Sequence, residues 1–136
     1  MADTDDTPSP VDPETAPTSF SAFKPRDHVV LGFPDKAPCD RATQALTDSG
    51  ITGIRHVPAE EMRSSMADML DRASGSAEFG HEVVEMRKYL ALSAQGYHWL
   101  VVPASGDDAQ GVVDTVQPLG AKVAVHYGLL LITDLL

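Results

Sequence analysis

The residue types best suited to metal or acid–base chemistry occur together in one stretch of this sequence. The segment HEVVE, which begins at His81, differs at one position from H-E-x-x-H, in which two histidines on one helical face bind zinc. Glu85 stands in place of the second histidine, and the E-x-x-H spacing from Glu78 to His81 has no second copy of the kind that di-iron bundles need. At helical spacing these residues fall mostly opposite the apolar positions. We therefore expect a solvent-exposed helix face here, with no metal and no cofactor.

Polar side chains at the predicted strands form a second group of candidates. Four histidines fall in these strands or at their ends: His28, His56, His98 and His126. If two or more of them met on the open face of a sheet, they could bind a small ligand or a metal, or titrate together near neutral pH. Two acidic turns, carrying Asp35 and Asp107, lead into helices and would share one sheet edge if their strands were parallel neighbours. These six residues are the candidate ligand-binding set, and we predict no catalytic residue.

The only cysteine, Cys39, falls in the first turns of a predicted helix, where the helix dipole can lower the pKa of a thiol. Asp35 and Asp40 oppose thiolate formation, however, and Cys39 shares an apolar stripe with Ala42 and Leu46. We interpret it as a small buried side chain, with a thiol enzyme as the alternative. Phosphate-binding glycine loops and nucleophile elbows do not occur in the sequence.

Hydrophobic spacing and turn residues predict the elements that would position these side chains. Short aliphatic and β-branched runs predict strands at 28–33, 51–57 and 97–103, and one or two more between 122 and 136. Apolar residues at helical spacing predict helices at about 35–49, 62–73, 77–95 and 105–118. Strands and helices therefore alternate, which is typical of a layered αβ domain.

Two architectures fit this order of elements. We predict an α+β fold: a ferredoxin-like sheet covered by helices on one face, with a helical pair inserted between its second and third strands. The alternative is an α/β fold with a doubly wound parallel sheet, whose strands would be uniformly aliphatic because both faces are buried. The second predicted strand carries Arg55 and His56 beside Ile54 and Val57, which indicates a half-exposed strand. This pattern favours the one-sided sheet.

The composition bounds the class of protein. At 136 residues the chain has the size of one domain, and 43% hydrophobic residues suffice for one core. Twenty acidic residues against ten basic ones give a net charge of −10, which disfavours nucleic acid and anionic lipid as partners. Residues 1–25 hold half of the ten prolines and no base before Lys24, so we predict a disordered acidic tail there and a single αβ domain at 26–136. With one cysteine and neither a signal-peptide nor a membrane-span pattern, we expect a cytoplasmic protein.

Two long stretches share their order of motifs with a known protein family. In HVVLGFPDKAPCDRATQALTDSGITGIRHV, a short strand ending in Phe-x-Asp precedes an Ala-rich helix closed by a glycine. In YLALSAQGYHWLVVPASGDDAQGVVDTVQPLGA, a helix leads through glycine to an aliphatic strand, an acidic turn, a helix and a Gly-Ala. Together they cover about half of the chain and resemble the bacterial general stress (heat-induced stress) protein domain. The resemblance implies a small ferredoxin-like domain linked to stress responses, and it implies no catalytic residues.

The sequence contains no complete catalytic constellation, and we predict a non-enzymatic, self-associating interaction or regulatory module. The aliphatic terminus LLLITDLL is more apolar than a lone edge strand, which predicts a homo-oligomer joined through the C-terminal strand, or a protein partner. The alternative is a small-molecule or metal sensor that uses the histidines of the sheet.

Overall fold

The computed structural model describes residues 27–73, 80–128 and 132–136, so the predicted tail at 1–25 lies outside the described residues. In chain order the elements are β1 (His28–Phe33), α1 (Lys36–Asp48), β2 (Arg55–Val57), α2 (Ala59–Ala73), α3 (Gly80–Ala94), β3 (His98–Pro103), α4 (Gly106–Val116), β4 (Val123–Tyr127) and β5 (Ile132–Asp134). A 3-10 turn, Gln117–Leu119, follows α4. Within the described ranges, no helix combines the length and apolarity that crossing a bilayer requires.

The strands form one sheet in the order β2-β3-β1-β4-β5. β1 pairs antiparallel with β3, with His28 opposite Pro103, and antiparallel with β4, with His28 opposite Tyr127. The pairs β2–β3 and β4–β5 are antiparallel as well. The α+β class is therefore confirmed, and the doubly wound parallel alternative is wrong.

Helices cover both faces of this sheet. On one face, Val29, Leu31 and Phe33 of β1 are buried against α1 and α4, and we name this side the α1/α4 face. On the other, Val30 of β1 and Trp99 of β3 are buried against α2 and α3, and we name this side the α2/α3 face. Successive strand residues point to opposite faces, so a strand buried on both sides reads as a continuous aliphatic run. The prediction of a one-sided sheet is therefore wrong, because helices cover both faces.

The helices α2 and α3 are fixed to the sheet by methionines and by one aromatic network. Three methionines of α2 are buried on the α2/α3 face, where their unbranched side chains fill the space beneath the helix. The Trp99 indole N–H donates to the Ser93 hydroxyl at 2.8 Å, and the indole meets the Tyr89 ring edge to face. Tyr89 in turn shares a 2.7 Å hydrogen bond with the hydroxyl of Tyr127 on β4. These contacts hold the start of β3 in place, next to His98.

Candidate functional site

His56 and His98 lie side by side on neighbouring strands. In the antiparallel pairing of β2 with β3, His56 stands opposite Leu100 and Val57 opposite Trp99. His98 lies two residues from Leu100, and side chains two residues apart on a strand share a face. The two imidazoles are therefore diagonal neighbours on the α1/α4 face, to which Leu100 belongs.

The two imidazole rings meet end to end. The Nε2 atom of His56 lies 3.0 Å from Nδ1 of His98, and the ring planes differ by 22°. The ring centroids are 5.2 Å apart. This distance is close to the N–N distance plus the distance from each ring centre to its own nitrogen atom. The two nitrogens therefore lie on the line between the ring centres and point at each other, unlike those of rings stacked face to face. One N–H donates and the other nitrogen accepts, so the neutral pair holds one proton between its rings.

Two ion pairs flank the histidines. At the start of α1, the Lys36 ammonium lies 2.8 Å from the Asp40 carboxylate, and this contact lowers the pKa of Asp40. Between β2 and α2, the Arg55 guanidinium lies 2.7 Å from the Glu61 carboxylate. The side chains of both pairs are about half exposed, so each pair is a solvated contact of small energy. Their importance for the site is that each carboxylate already has a cation beside it.

The surroundings of His56 favour the neutral form of its ring. Its pKa is lowered from the ordinary value of 6.5, chiefly because partial burial disfavours the charged ring. The positive charge of a protonated His98 lowers it further, and Lys36 acts in the same direction. Asp40 and Glu61 act in the opposite direction and reduce the shift. A neutral ring can exchange protons, hydrogen-bond a small polar ligand or give a nitrogen to a metal.

The other two strand histidines lie away from this pair. His126 is buried opposite Val29, at the far end of the sheet from His98, and its Nε2–H donates to the backbone carbonyl of Ala104 at 3.1 Å. This hydrogen bond gives His126 a structural role. His28 is half-buried opposite Tyr127, a residue of the α2/α3 face. The structure therefore brings together His56 and His98 and separates His28 and His126 from them.

Asp35 and Asp107 lie at opposite ends of the sheet. Because β1 and β3 are antiparallel, the turn after Phe33 lies near the start of β3, whereas the turn after Pro103 lies near the start of β1. The expectation that both acidic turns share one edge depended on parallel strands and is wrong. Both carboxylates are exposed: Asp35 precedes α1 as its N-cap residue without a side-chain capping bond, and Asp107 lies in the first turn of α4.

Cys39 is fully buried on the α1/α4 face. Burial raises the pKa of its thiol to about 11, and the nearby charge of Asp40 adds to the rise. A thiolate is therefore strongly disfavoured near neutral pH. The interpretation of Cys39 as a small buried side chain is confirmed, and its burial and raised pKa do not favour the thiol-enzyme alternative.

The HEVVE segment lies in α3, and we expected it to form a solvent-exposed helix face. The structure describes the side chains of its last three residues, Val83, Val84 and Glu85. Glu78 lies outside the described residues, as does the side chain of His81. Val84 is 62% exposed, but one carboxylate oxygen of Glu85 is buried without a hydrogen-bond partner. Glu85 stands one helical turn before Tyr89, and its charge contributes to the raised pKa of that phenol. The prediction that Glu85 belongs to the solvent face is therefore wrong, because α3 turns it partly towards the sheet.

A groove of about 280 Å³ lies between the end of α1 and the outer side of α4. Its lining comprises Ser49, Ile51, Pro103, Ala104, Asp108, Gly111, Val112 and Thr115. Asp108 is the one ionisable side chain in that lining, and its carboxylate accepts a hydrogen bond from the Ser105 hydroxyl at 3.2 Å. Pro103 and His98 stand at opposite ends of β3, so the groove is separate from the histidine pair.

The paired imidazoles are the candidate site with the best-defined geometry. Among the residues that the structure describes, no group of three or more His, Cys, Asp or Glu side chains is arranged to hold a metal ion. The pair offers two nitrogens, and the carboxylates of Asp40 and Glu61 that act on it are engaged in ion pairs.

Comparisons of the chain with known protein families, with curated proteins and with solved structures give no match.

Proposed function

We propose that this chain is a non-enzymatic regulatory module that receives its signal at the His56–His98 pair. The observation that supports the proposal is the 3.0 Å contact between Nε2 of His56 and Nδ1 of His98. His56 belongs to β2, which lies at one edge of the sheet. Such a pair changes its protonation or its ligands near neutral pH. Because the two rings belong to neighbouring strands, a change in the pair acts directly on the packing of the sheet.

The chemistry around the pair supports binding over catalysis. The thiol of Cys39 is buried, and its raised pKa keeps it protonated. Asp40 and Glu61, the carboxylates that act on His56, are each held by a cation and exposed to solvent. A general base or nucleophile would instead need a pKa adjusted to the reaction and a sheltered position.

We infer further that the fold is ferredoxin-like. The support is the strand order: without β5 the sheet reads β2-β3-β1-β4, with α1 between β1 and β2 and α4 between β3 and β4. The helical pair α2–α3, which stands between β2 and β3 in the chain, would then be an insertion that covers the second face. We also propose that the chain belongs to the general stress protein family and acts in stress responses, because two of its sequence stretches resemble that family. We propose a cytoplasmic location because the sequence has a single cysteine.

The edge of β5 favours a second function, self-association. Within the described part of the chain, β5 pairs with β4 alone, so its outer edge offers backbone groups to another strand. Ile132 and Leu135 pack against the core, whereas Leu136 is 44% exposed. A second copy of the chain pairing at this edge would extend the sheet, as strand addition does in peptide recognition.

The regulatory function is tested by asking whether the state of the histidine pair changes the stability of the fold. Thermal unfolding of the wild type, His56→Gln and His98→Gln is followed over about pH 5–8 and with zinc, nickel or copper chloride. His28→Gln is the matched control, because it removes a strand histidine outside the pair. We expect Tm of the wild type and of the control to respond to acid or to a metal, and the response to shrink in the other two variants. An equal response in all four proteins contradicts the proposal.

Self-association is tested by light scattering at micromolar concentration. Thr133, exposed on β5, is replaced by Lys to repel a second strand, and Thr47, exposed on α1, is replaced by Lys as a control with the same change of charge. We expect the wild type and Thr47→Lys to scatter as an oligomer and Thr133→Lys as a monomer. A wild type that is monomeric throughout rules out this second function.

A further inference from the structure

The geometry of the histidine pair restricts what it can bind, and the inference below rests on the function proposed above. Zinc binds imidazole nitrogens at about 2.0–2.1 Å, so an ion on the line between two nitrogens 3.0 Å apart would lie too close to both. It would have to stand to one side, where the lone pairs do not point, and the described residues provide no group of three ligands for it. A proton fits between the two nitrogens without any movement of the rings.

We propose that the ligand of the His56–His98 pair is the proton, and that protonation of both rings releases β2 from β3. The neutral pair shares one N–H. One proton taken up from solvent gives a charge-assisted hydrogen bond, which keeps the rings together. A second proton leaves no nitrogen to accept, so the hydrogen bond is lost and two cationic rings repel each other at contact distance.

The charges around the pair offset this repulsion only in part. The two carboxylates that act on His56 are those of Asp40 on α1 and Glu61 on α2, and the ammonium of Lys36 acts on it from α1. Both carboxylates attract a protonated His56, but each is also paired with a cation, Asp40 with Lys36 and Glu61 with Arg55, which weakens that attraction. Burial, the charge of His98 and the charge of Lys36 all lower the pKa of His56, which places full protonation of the pair below pH 6.5.

β2 is the strand that this repulsion can move. It has three residues, and within the described ranges it pairs with β3 alone. Arg55 is exposed and His56 is only partly covered, whereas Val57, opposite Trp99, is the one side chain of β2 that is buried. α2 begins immediately after Pro58, so a displaced β2 would move the start of α2 and uncover the edge of β3. The edge of β3 could then pair with a partner strand, which gives the module an acid-dependent output.

The proposal is tested by amide hydrogen exchange, read by NMR as protection factors so that the intrinsic effect of pH on exchange is removed. The wild type, His56→Gln and His98→Gln are compared at about pH 7.5 and about pH 5, which bracket the histidine range. We expect protection of the amides of β2 to fall several-fold in acid in the wild type and to change little in the two variants. The amides of Val30 and Leu31 on β1 serve as internal controls and should keep their protection.

Three results would overturn the inference, and they differ in what they say about the proposed function. If zinc or nickel chloride at about pH 7.5 shifts the ring signals of His56 and His98 and the protection of β2, whereas acid does not, the proton assignment fails and the regulatory function stands. If acid lowers the protection of β2 equally in His56→Gln, the response does not come from the pair, and both proposals fail. If neither acid nor metal changes any signal outside the two rings, both proposals fail as well.

Discussion

Trp99 of β3 stands opposite Gly32 of β1, and its indole occupies the space that a side chain at position 32 would need. A Cβ atom built on Gly32 would lie 2.6 Å from Cζ3 of Trp99 and 3.0 Å from Cβ of Val123 on β4. The distance to the indole is shorter than any ordinary carbon–carbon contact. This packing explains why a glycine interrupts the aliphatic run of the central strand.

The first prediction follows from that contact. Gly32→Ala should lower the free energy of unfolding by about 1–3 kcal/mol, the usual cost of overpacking a core. Urea unfolding followed by the fluorescence of Trp99 measures the change. Gly111→Ala is the matched control: Gly111 is exposed within α4 and has open space around it, so alanine should stabilise the helix by about 0.5–1 kcal/mol. If Gly32→Ala and Gly111→Ala change the free energy of unfolding by the same amount in the same direction, the indole does not restrict position 32.

The second prediction concerns the hydrogen bond that ties α3 to the sheet. Ser93→Ala removes the acceptor of the buried Trp99 N–H, and an unsatisfied buried donor should cost about 1–3 kcal/mol of unfolding free energy. Ser64→Ala, at an exposed position of α2, should change stability by less than about 0.5 kcal/mol. Chemical denaturation of both variants tests this, and a Ser93 variant as stable as the Ser64 variant would contradict it.

Several elements could be predicted from the sequence because local signals are strong there. The aliphatic runs of β1 and β3 and the glycine after α1 predict the element bounds to within one or two residues. The second strand is shorter than predicted, because Ile51 and Ile54 are loop residues that pack against the α1/α4 face. The second covered face could not be predicted, since it depends on α2 and α3 folding back over the sheet.

The contact between the two histidines of the candidate site could not be predicted from the sequence either. The sequence identifies His56 and His98 as strand histidines, but their contact depends on the register between β2 and β3, which are separated in the chain by two helices. A shift of one residue in that register would turn His56 to the opposite face of the sheet. Asp35 and Asp107 were grouped on the assumption of parallel strands, which the antiparallel pairing of β1 and β3 removes.

The third prediction concerns the thiol of Cys39. Because burial raises its pKa to about 11, the folded protein should react very slowly with Ellman's reagent at about pH 8, at a rate limited by opening of the structure. Addition of urea above the unfolding midpoint should make the reaction fast. A rapid reaction of the folded protein would mean that α1 exposes the thiol.

The fourth prediction is a dependence of stability on pH with a definite sign. The pKa of His56 is lowered on folding, so between that lowered value and 6.5 the unfolded chain binds more protons than the folded one. The free energy of unfolding should therefore fall as pH drops below 6.5 and level off once folded His56 is also protonated. Urea unfolding at a series of pH values measures this, and the difference between the wild type and His56→Gln isolates the contribution of one ring. A difference that stays constant with pH would contradict the lowered pKa.

The proposed sensor requires that the two histidine rings are coupled, and titration of the imidazole nitrogens by ¹⁵N NMR tests this coupling directly. His98→Gln should raise the pKa of His56, because it removes a neighbouring group whose positive charge lowers that pKa. If His56 titrates along the same curve with and without His98, the rings are independent, and the pair is no sensor.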